Sequence, residues 1–386
     1  MKKTITSWMF IGLLAFLTAC GGSATTDAEV EAEVEEAQEE LEDTLGEEAE
    51  NAIPDTASEV VTTLADVNGF KIVTAVLNPR GYDYYGTEVE ITAFVKDHSN
   101  NNVADGTVVT FIADDNGMIE DQCATENGTC SVKWWSSRDR SEPVSPDPNS
   151  GDDGYVNDFL ITIMARTIGE DSFINKNDSS DPLFEVGETF LTQSEAFLDA
   201  NDNGVFDTGV NDFDEYFDYN GDGSFNLASE FTLFRGVSCS STAKALGHCG
   251  SRIEVWDSIT LINSSGGDAD MELTNCSGTV IAKTVNGDQV DPTSTITLAS
   301  ATNFCLEVTD LNGNIPPIAT AIEVTTDNGV IDVSPTEVGN IKTSIGSGFF
   351  GDIRIKPDAL PSSGTMVLKT ESVNGSVVYM YVTVTD

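Results

Sequence analysis

The chain has 386 residues and an ordinary 39% hydrophobic content, but 65 acidic residues stand against 18 basic ones, a formal net charge of −47. That length allows two or three domains. That charge excludes a surface made for nucleic acid or an anionic bilayer face, and points to cationic partners, above all divalent metal.

The acid is concentrated in two blocks. Residues 27–55 hold 14 acidic residues and no basic one, and residues 170–230 hold 16 with only Lys176. The first reads as a solvated tether, the second as a metal site.

The chain opens with Lys2 and Lys3, an apolar run at 8–17 and Leu-Thr-Ala-Cys at 17–20. The run is too short and wrongly flanked to span a membrane, so 1–19 reads as a cleaved export signal. Its ending resembles a bacterial lipobox, which implies cleavage before Cys20, diacylglycerol on its sulfur and acylation of its amine. Two or three acyl chains make a stable membrane anchor. Gly21, rather than Asp, after the cysteine implies by the same resemblance an outer-membrane lipoprotein, on the periplasmic or the cell-surface face.

From 20 to 58 there is almost nothing to bury. Val30, Val34, Ala37, Leu41 and Leu45 follow the spacing of a short helix or weak coiled coil, but acids on the other faces repel one another, and a flexible extended tether is the plainer reading.

Between 59 and 166 the hydrophobic period becomes two. Runs at 89–95, 108–113, 131–135 and 159–165 are β-branched and aromatic, separated by Asn, Gly, Asp and Pro clusters, which predicts an antiparallel sandwich. Adjacent Trp134 and Trp135 must face opposite sides of their strand. A four-residue loop at 125–128 would set Cys123 opposite Cys130 on a hairpin, whereas a two-residue Asn127-Gly128 turn would put them out of register.

Asp105-Gly106-Thr107 with the following Val-Val-Thr-Phe, then Gly117, Asn127-Gly128 with Thr-Cys-Ser-Val, and the strand ending Ile-Met-Ala-Arg resemble the bacterial Ig-like domains of intimin and invasin type. The resemblance covers about 100 residues and implies a sandwich fold more directly than any activity.

After Arg166 the next strand pattern begins only at Arg252. A stretch of that length inside a compact domain needs its own ordering agent. It repeats: Asp199, Asn201, Asn203, Val205 and Asp207 in one copy, and Asp218, Asn220, Asp222, Ser224 and Asn226 in the next, supply oxygens at positions 1, 3, 5, 7 (through the carbonyl) and 9, with Gly at 6 and Phe at 8. This is the spacing of a calcium loop, and dense hard oxygen ligands suit Ca²⁺ better than Mg²⁺. Position 12 holds Val210 or Ser229 in place of the glutamate of an EF-hand. Asp212, Asp214 or Glu215 would complete the first copy and Glu230 the second, and the spacing is more similar to thrombospondin-type or dockerin-like repeats. A degenerate upstream copy uses Asn175, Asn177 and Ser179 with Glu185 and Glu188. Two or three calcium ions are expected, with aromatics supplying the contacts between loops.

Besides Cys20 there are six cysteines, which allow fifteen connectivities. They fall in local couples, so Cys123–Cys130, Cys239–Cys249 and Cys276–Cys305 is the economical pairing, in an oxidising compartment. His248 between Cys239 and Cys249 admits a zinc reading, but no fourth ligand is near.

Strand patterns resume from 266, with about 120 residues and six or seven strands forming one more sandwich. Asp310-Leu-Asn312-Gly is a lone turn signal, read as a hairpin. The fold class is thus all-β: an acidic tether (20–58), an Ig-like sandwich (59–265) with a calcium-repeat insert at about 170–236, and a second Ig-like sandwich (266–386).

There is no phosphate-cradling glycine loop, no Gly-x-Ser-x-Gly elbow and no more than two histidines, so the chain reads as a non-enzyme. The expected function is cell-surface binding or adhesion by calcium-stabilised Ig-like modules, toward a surface protein or glycan partner. The alternatives are a stalk or scaffold subunit of an envelope assembly, or a carbohydrate-binding or polysaccharide-active protein using Tyr82, Tyr84, Tyr85 or Trp135.

Overall fold

The computed structural model describes residues 64–113, 117–137, 159–176, 182–199, 204–207, 214–290, 294–341, 347–359 and 362–386. The expected export signal, Cys20 and the expected acidic tether lie outside the described residues.

From residue 64 onward the chain is nearly all β and forms two Ig-like sandwiches, each around its own core. Alternation sets the layers of the first. Along Glu88–Val95, Val89, Ile91, Ala93 and Val95 turn inward while Glu88 and Glu90 face solvent. This strand lies between Phe70–Thr74 and Thr129–Ser136 in an antiparallel sheet that ends with Gly117–Ile119. The facing sheet is centred on Leu160–Glu170, which has Val108–Ala113 along one edge and Ile253–Ile262 along the other. A short parallel pairing with Ala65–Asp66 closes its end.

Trp134 is fully buried between these sheets, while Trp135 is half-buried and donates its indole N–H to Glu88 at 3.2 Å. A Cβ on Gly117 would come within 2.0 Å of the Trp134 Nε1. Only glycine fits beneath that indole.

The Cys123–Cys130 bond is formed, but not across the four-residue hairpin loop that would set the two opposite. Asn127 and Gly128 have φ of 54° and 74°, and Glu126 and Thr129 exchange both backbone hydrogen bonds, so the turn has two residues. Asn-Gly favours such a turn because both positions tolerate the left-handed region. Cys123 pairs with Val109 in one sheet and Cys130 with Ala93 in the other. The disulfide, with Cα atoms 5.9 Å apart, therefore ties the two layers together.

The second sandwich packs a six-stranded sheet against a four-stranded one. Val378, Met380, Val382 and Val384 of Val377–Thr385 alternate into its core. Cys276–Cys305 links a turn to the strand Thr302–Thr309.

Polar side chains from both sandwiches grip the connection between them. The buried Asn78 side-chain amide donates to the carbonyls of Pro316 (2.9 Å) and Gly339 (3.2 Å), and the Asn78 backbone carbonyl accepts from the Ile318 amide. Asp310 accepts from the Ser265 amide at 2.7 Å and Asp83 from the Gly266 amide at 2.8 Å. Burial pushes the Asp310 carboxyl up to about 6 despite three backbone amides that favour its ionised form. The turn signal at Asp310 is thus a clamp on the connection as well as a bend.

Candidate functional site

Leu160–Glu170 and Ile253–Ile262 pair without interruption from Leu160 with Ile262 to Gly169 with Ile253. Everything between them leaves and returns at the same end of the first sandwich. Leu160–Glu170 is buried on both faces, which explains its run of apolar residues where a one-sided strand would alternate. Ile161, Ile163 and Ala165 meet the sandwich core, whereas Met164 lies beneath Ala196 and Leu198, with Phe217 and Trp256 alongside. Arg166 makes two 2.8 Å hydrogen bonds to Glu254 and stacks on the Phe217 ring at 4.0 Å.

The root of the excursion is locked by buried groups. Asp171 accepts from the Arg235 amide at 2.8 Å and faces its guanidinium at 3.4 Å, and Arg235 also donates to Thr192 and to the Gln193 carbonyl. Burial raises the Asp171 carboxyl and lowers the Arg235 guanidinium from their ordinary values, so desolvation outweighs their attraction. Glu170, raised by burial too, accepts from the Val237 and Ser238 amides and the Ser238 hydroxyl. Phe173, Phe184, Phe190 and Phe234 pack as an aromatic cluster over Cys239, and Cys239–Cys249 closes it. That bond consumes both thiols and rules out the zinc reading, and the His248 carbonyl serves the Phe234 amide.

The two repeats stand side by side. Phe197–Leu198 pairs with Glu215–Tyr216, which makes the first repeat the loop of a small hairpin. The position-8 aromatics meet: Phe206 and Phe225 have ring centroids 4.1 Å apart, and both touch Phe197 and Tyr216. Gly204 and Gly223, with φ of 81° and 80°, supply the same bend in each copy.

Within the second repeat, Asp218 gathers the amides of Gly221, Asp222 and Gly223 at 2.7, 3.1 and 2.9 Å. The Asn220 side chain reaches Asp222 at 3.2 Å and also Asn226, bringing four oxygen-bearing side chains to one place. In the first repeat Asp199 accepts from the Gly204 amide at 2.7 Å, the counterpart of the Asp218 to Gly223 contact. Asp207 donates its amide to Asp214 at 3.1 Å. Asn201, Asn203 and Asp212 lie outside the described residues. Glu230 accepts from the Leu227 amide at 2.7 Å, closing the 3-10 turn Ala228–Glu230 next to the second repeat.

A carboxylate not foreseen from the repeats is packed against them. Glu195 is buried, accepts from the Asn226 amide at 3.2 Å and the Asn220 amide at 3.5 Å, and is raised by burial with Asp218 and Asp222 adding repulsion. Its position in sequence, 31 residues before Asn226, follows no repeat. The degenerate upstream copy is held differently. Glu188 accepts from the Lys176 and Glu185 amides, so it staples its own loop, while Asn177 and Ser179 fall outside the described residues.

Among the described residues no group of three or more His, Cys, Asp or Glu is gathered for a metal. The second repeat draws half of its gathered side chains from asparagine, and its donors are all oxygen, chemistry that fits a hard divalent cation.

Tyr82, Tyr84, Tyr85 and Trp135 do not form one flat row. Tyr82 meets Phe159 edge-on and the Arg80 guanidinium covers Tyr84 at 3.2 Å. Tyr379 and Tyr381 on the second sandwich form an exposed, nearly parallel pair, with ring planes 17° apart.

The molecule is thus a disulfide-bonded, tandem Ig-like β protein of the class found outside the cytoplasm, with an oxygen-rich excursion on its first sandwich. No known family matches the sequence, and no curated protein does. Among solved structures it is similar to the Yersinia pseudotuberculosis adhesin InvE, at 8% identity, TM-score 0.23, over 85% of this chain and 61% of that one. It is also similar to the C-terminal 282-residue fragment of intimin in complex with the intimin-binding domain of its translocated receptor, at 10% identity, TM-score 0.21, over 81% of this chain and 62% of that one. The chain spans about three-fifths of each of those lengths.

Proposed function

We propose that this chain is an envelope-anchored lipoprotein that presents a calcium-ordered excursion from a rigid Ig-like scaffold for binding or adhesion at the cell surface. The carrying observation is the uninterrupted pairing of Leu160–Glu170 with Ile253–Ile262. It completes the sheet without the residues between, and those residues build a small body with its own aromatic clusters, ion pair and disulfide that covers the outer face of the strand at Met164. Ordered segments set on a rigid scaffold and unnecessary to its core are where recognition concentrates.

Calcium would be held by Asp199, Asn201, Asn203, the Val205 carbonyl and Asp207, and by Asp218, Asn220, Asp222, the Ser224 carbonyl and Asn226, with Asp212, Asp214 and Glu230 as completing carboxylates. Bound calcium would offset the repulsion among the 16 acidic residues of 170–230.

The pairing also supplies the experiment. Replacing 171–251 with Asn-Gly closes the two strands as a two-residue hairpin. Beads coated with the full chain should adhere to target cells in calcium and lose adhesion in chelator, and beads with the shortened chain should not adhere. Equal adhesion by both chains contradicts the proposal. A scaffold role, favoured by the clamp of Asn78, Asp83 and Asp310 on the connection, is indicated instead if both chains co-purify with the same envelope assembly and neither adheres.

A further inference from the structure

Beside the second repeat lies a cleft of about 310 Å³ whose walls include Tyr219, Asn220, Glu230, Phe231, Ser251 and Arg252. We infer that this cleft binds a neutral saccharide, one or two sugar rings in size, and that it does so when the adjoining loop holds calcium. The inference rests on the calcium-ordered reading above and names the ligand class of that body.

The volume is at the lower end of small-ligand cavities, roughly 300–1,000 Å³. The walls are of two kinds. Tyr219, Phe231 and the neighbouring Leu233 give apolar surface for the C–H face of a sugar ring, while Glu230 accepts, Arg252 donates, and Asn220 and Ser251 do both, as a ring of hydroxyls requires. With the Arg235 guanidinium, also on the lining, paired to Asp171, Glu230 opposes an anion and Arg252 opposes a cation, so an uncharged polyol is the balanced occupant.

Two details make the cleft a built feature. The Arg235 guanidinium, which shares the cleft lining, covers the Phe231 ring at 3.4 Å, and Arg235 is itself pinned by Asp171 and the Gln193 carbonyl. Arg252, in a chain with 65 acidic residues, has no ion pair or hydrogen bond among the described residues and lines the cleft.

The link to calcium is direct. Tyr219 sits between Asp218 and Asn220, the first and third positions of the repeat, and the three amides gathered by Asp218 fix the backbone that carries its ring. Glu230 is both a cleft wall and a completing carboxylate. A cation that orders the loop would preform one side of the cleft, so binding of the two ligands would be mutually favourable.

The test is isothermal titration of the full-length chain with glucose, galactose, mannose, N-acetylglucosamine, maltose, cellobiose and lactose, and with glucuronate, each in millimolar calcium and in chelator. At least one neutral sugar should bind saturably in calcium and at least tenfold more weakly in chelator. Arg252→Ala and Tyr219→Ala should each weaken it at least tenfold, while Tyr379→Ala on the other sandwich leaves it unchanged. Absence of sugar binding in a chain whose melting calcium still raises overturns the inference and leaves the calcium reading standing. Loss of the calcium effect on melting as well overturns both. Equal binding in chelator, tighter binding of glucuronate, or indifference to Arg252→Ala and Tyr219→Ala also overturns it.

Discussion

Phe206 and Phe225, each at position 8 of its repeat, have ring centroids 4.1 Å apart, so the two repeats share one aromatic contact. Phe197 and Tyr216 buttress both rings. Phe206→Ala or Phe225→Ala should therefore weaken calcium binding at both repeats, not only at the mutated one. A double-mutant cycle on melting should return a coupling of about 0.5–1.5 kcal/mol for this pair. Strict additivity would mean that the loops fold independently.

The Asp171–Arg235 pair fastens the excursion to its sandwich, with Asp171 fully buried and the guanidinium nearly so. Arg235→Met leaves a buried carboxylate uncompensated and should cost about 3–5 kcal/mol in chemical denaturation. The same change in an Asp171→Leu background should cost much less. A large loss in both backgrounds would assign the effect to Arg235's packing on Phe231.

The Asp310 carboxyl, raised to about 6 from an ordinary 3.8, makes the grip on the connection sensitive to pH. Because the folded form holds the proton more tightly than the unfolded form, this group's contribution is fully present below pH 3.8 and is lost as pH rises through 6. Asp310→Asn should remove that part of the decline between pH 4 and 7, while its amide retains an acceptor for Ser265. Parallel stability curves for the two proteins across that range would contradict this assignment.

Removal of the layer-spanning disulfide gives a fourth test. Cys123→Ser with Cys130→Ser should lower stability by about 2–4 kcal/mol without changing calcium response, because the bond lies between the two sheets of the first sandwich and packs on its core. A weakened calcium response would show that the repeats depend on that end of the sandwich.

These residues also mark what could be read from the chain alone. The apolar run 159–165 announced a strand, and its lack of alternation carried the further signal that both faces are covered, which the position of Met164 makes concrete. The repeats were legible because their oxygen-bearing side chains are local, spaced by the loop itself. Glu195 was not, because a carboxylate that approaches from 31 residues upstream leaves no spacing signal. Asp171 with Arg235, 64 residues apart, is hidden for the same reason. The cysteine couples were visible as neighbours in sequence, yet Cys123 and Cys130 straddle two sheets because the chain changes layer at Asn127-Gly128, a fact of topology and not of spacing.

The central claim is that calcium orders the excursion, and melting together with limited proteolysis of the full-length chain tests it most directly. Millimolar calcium should raise the melting temperature clearly and protect 170–252 from cleavage, with magnesium doing far less. Identical melting and identical cleavage in calcium and in chelator would contradict it.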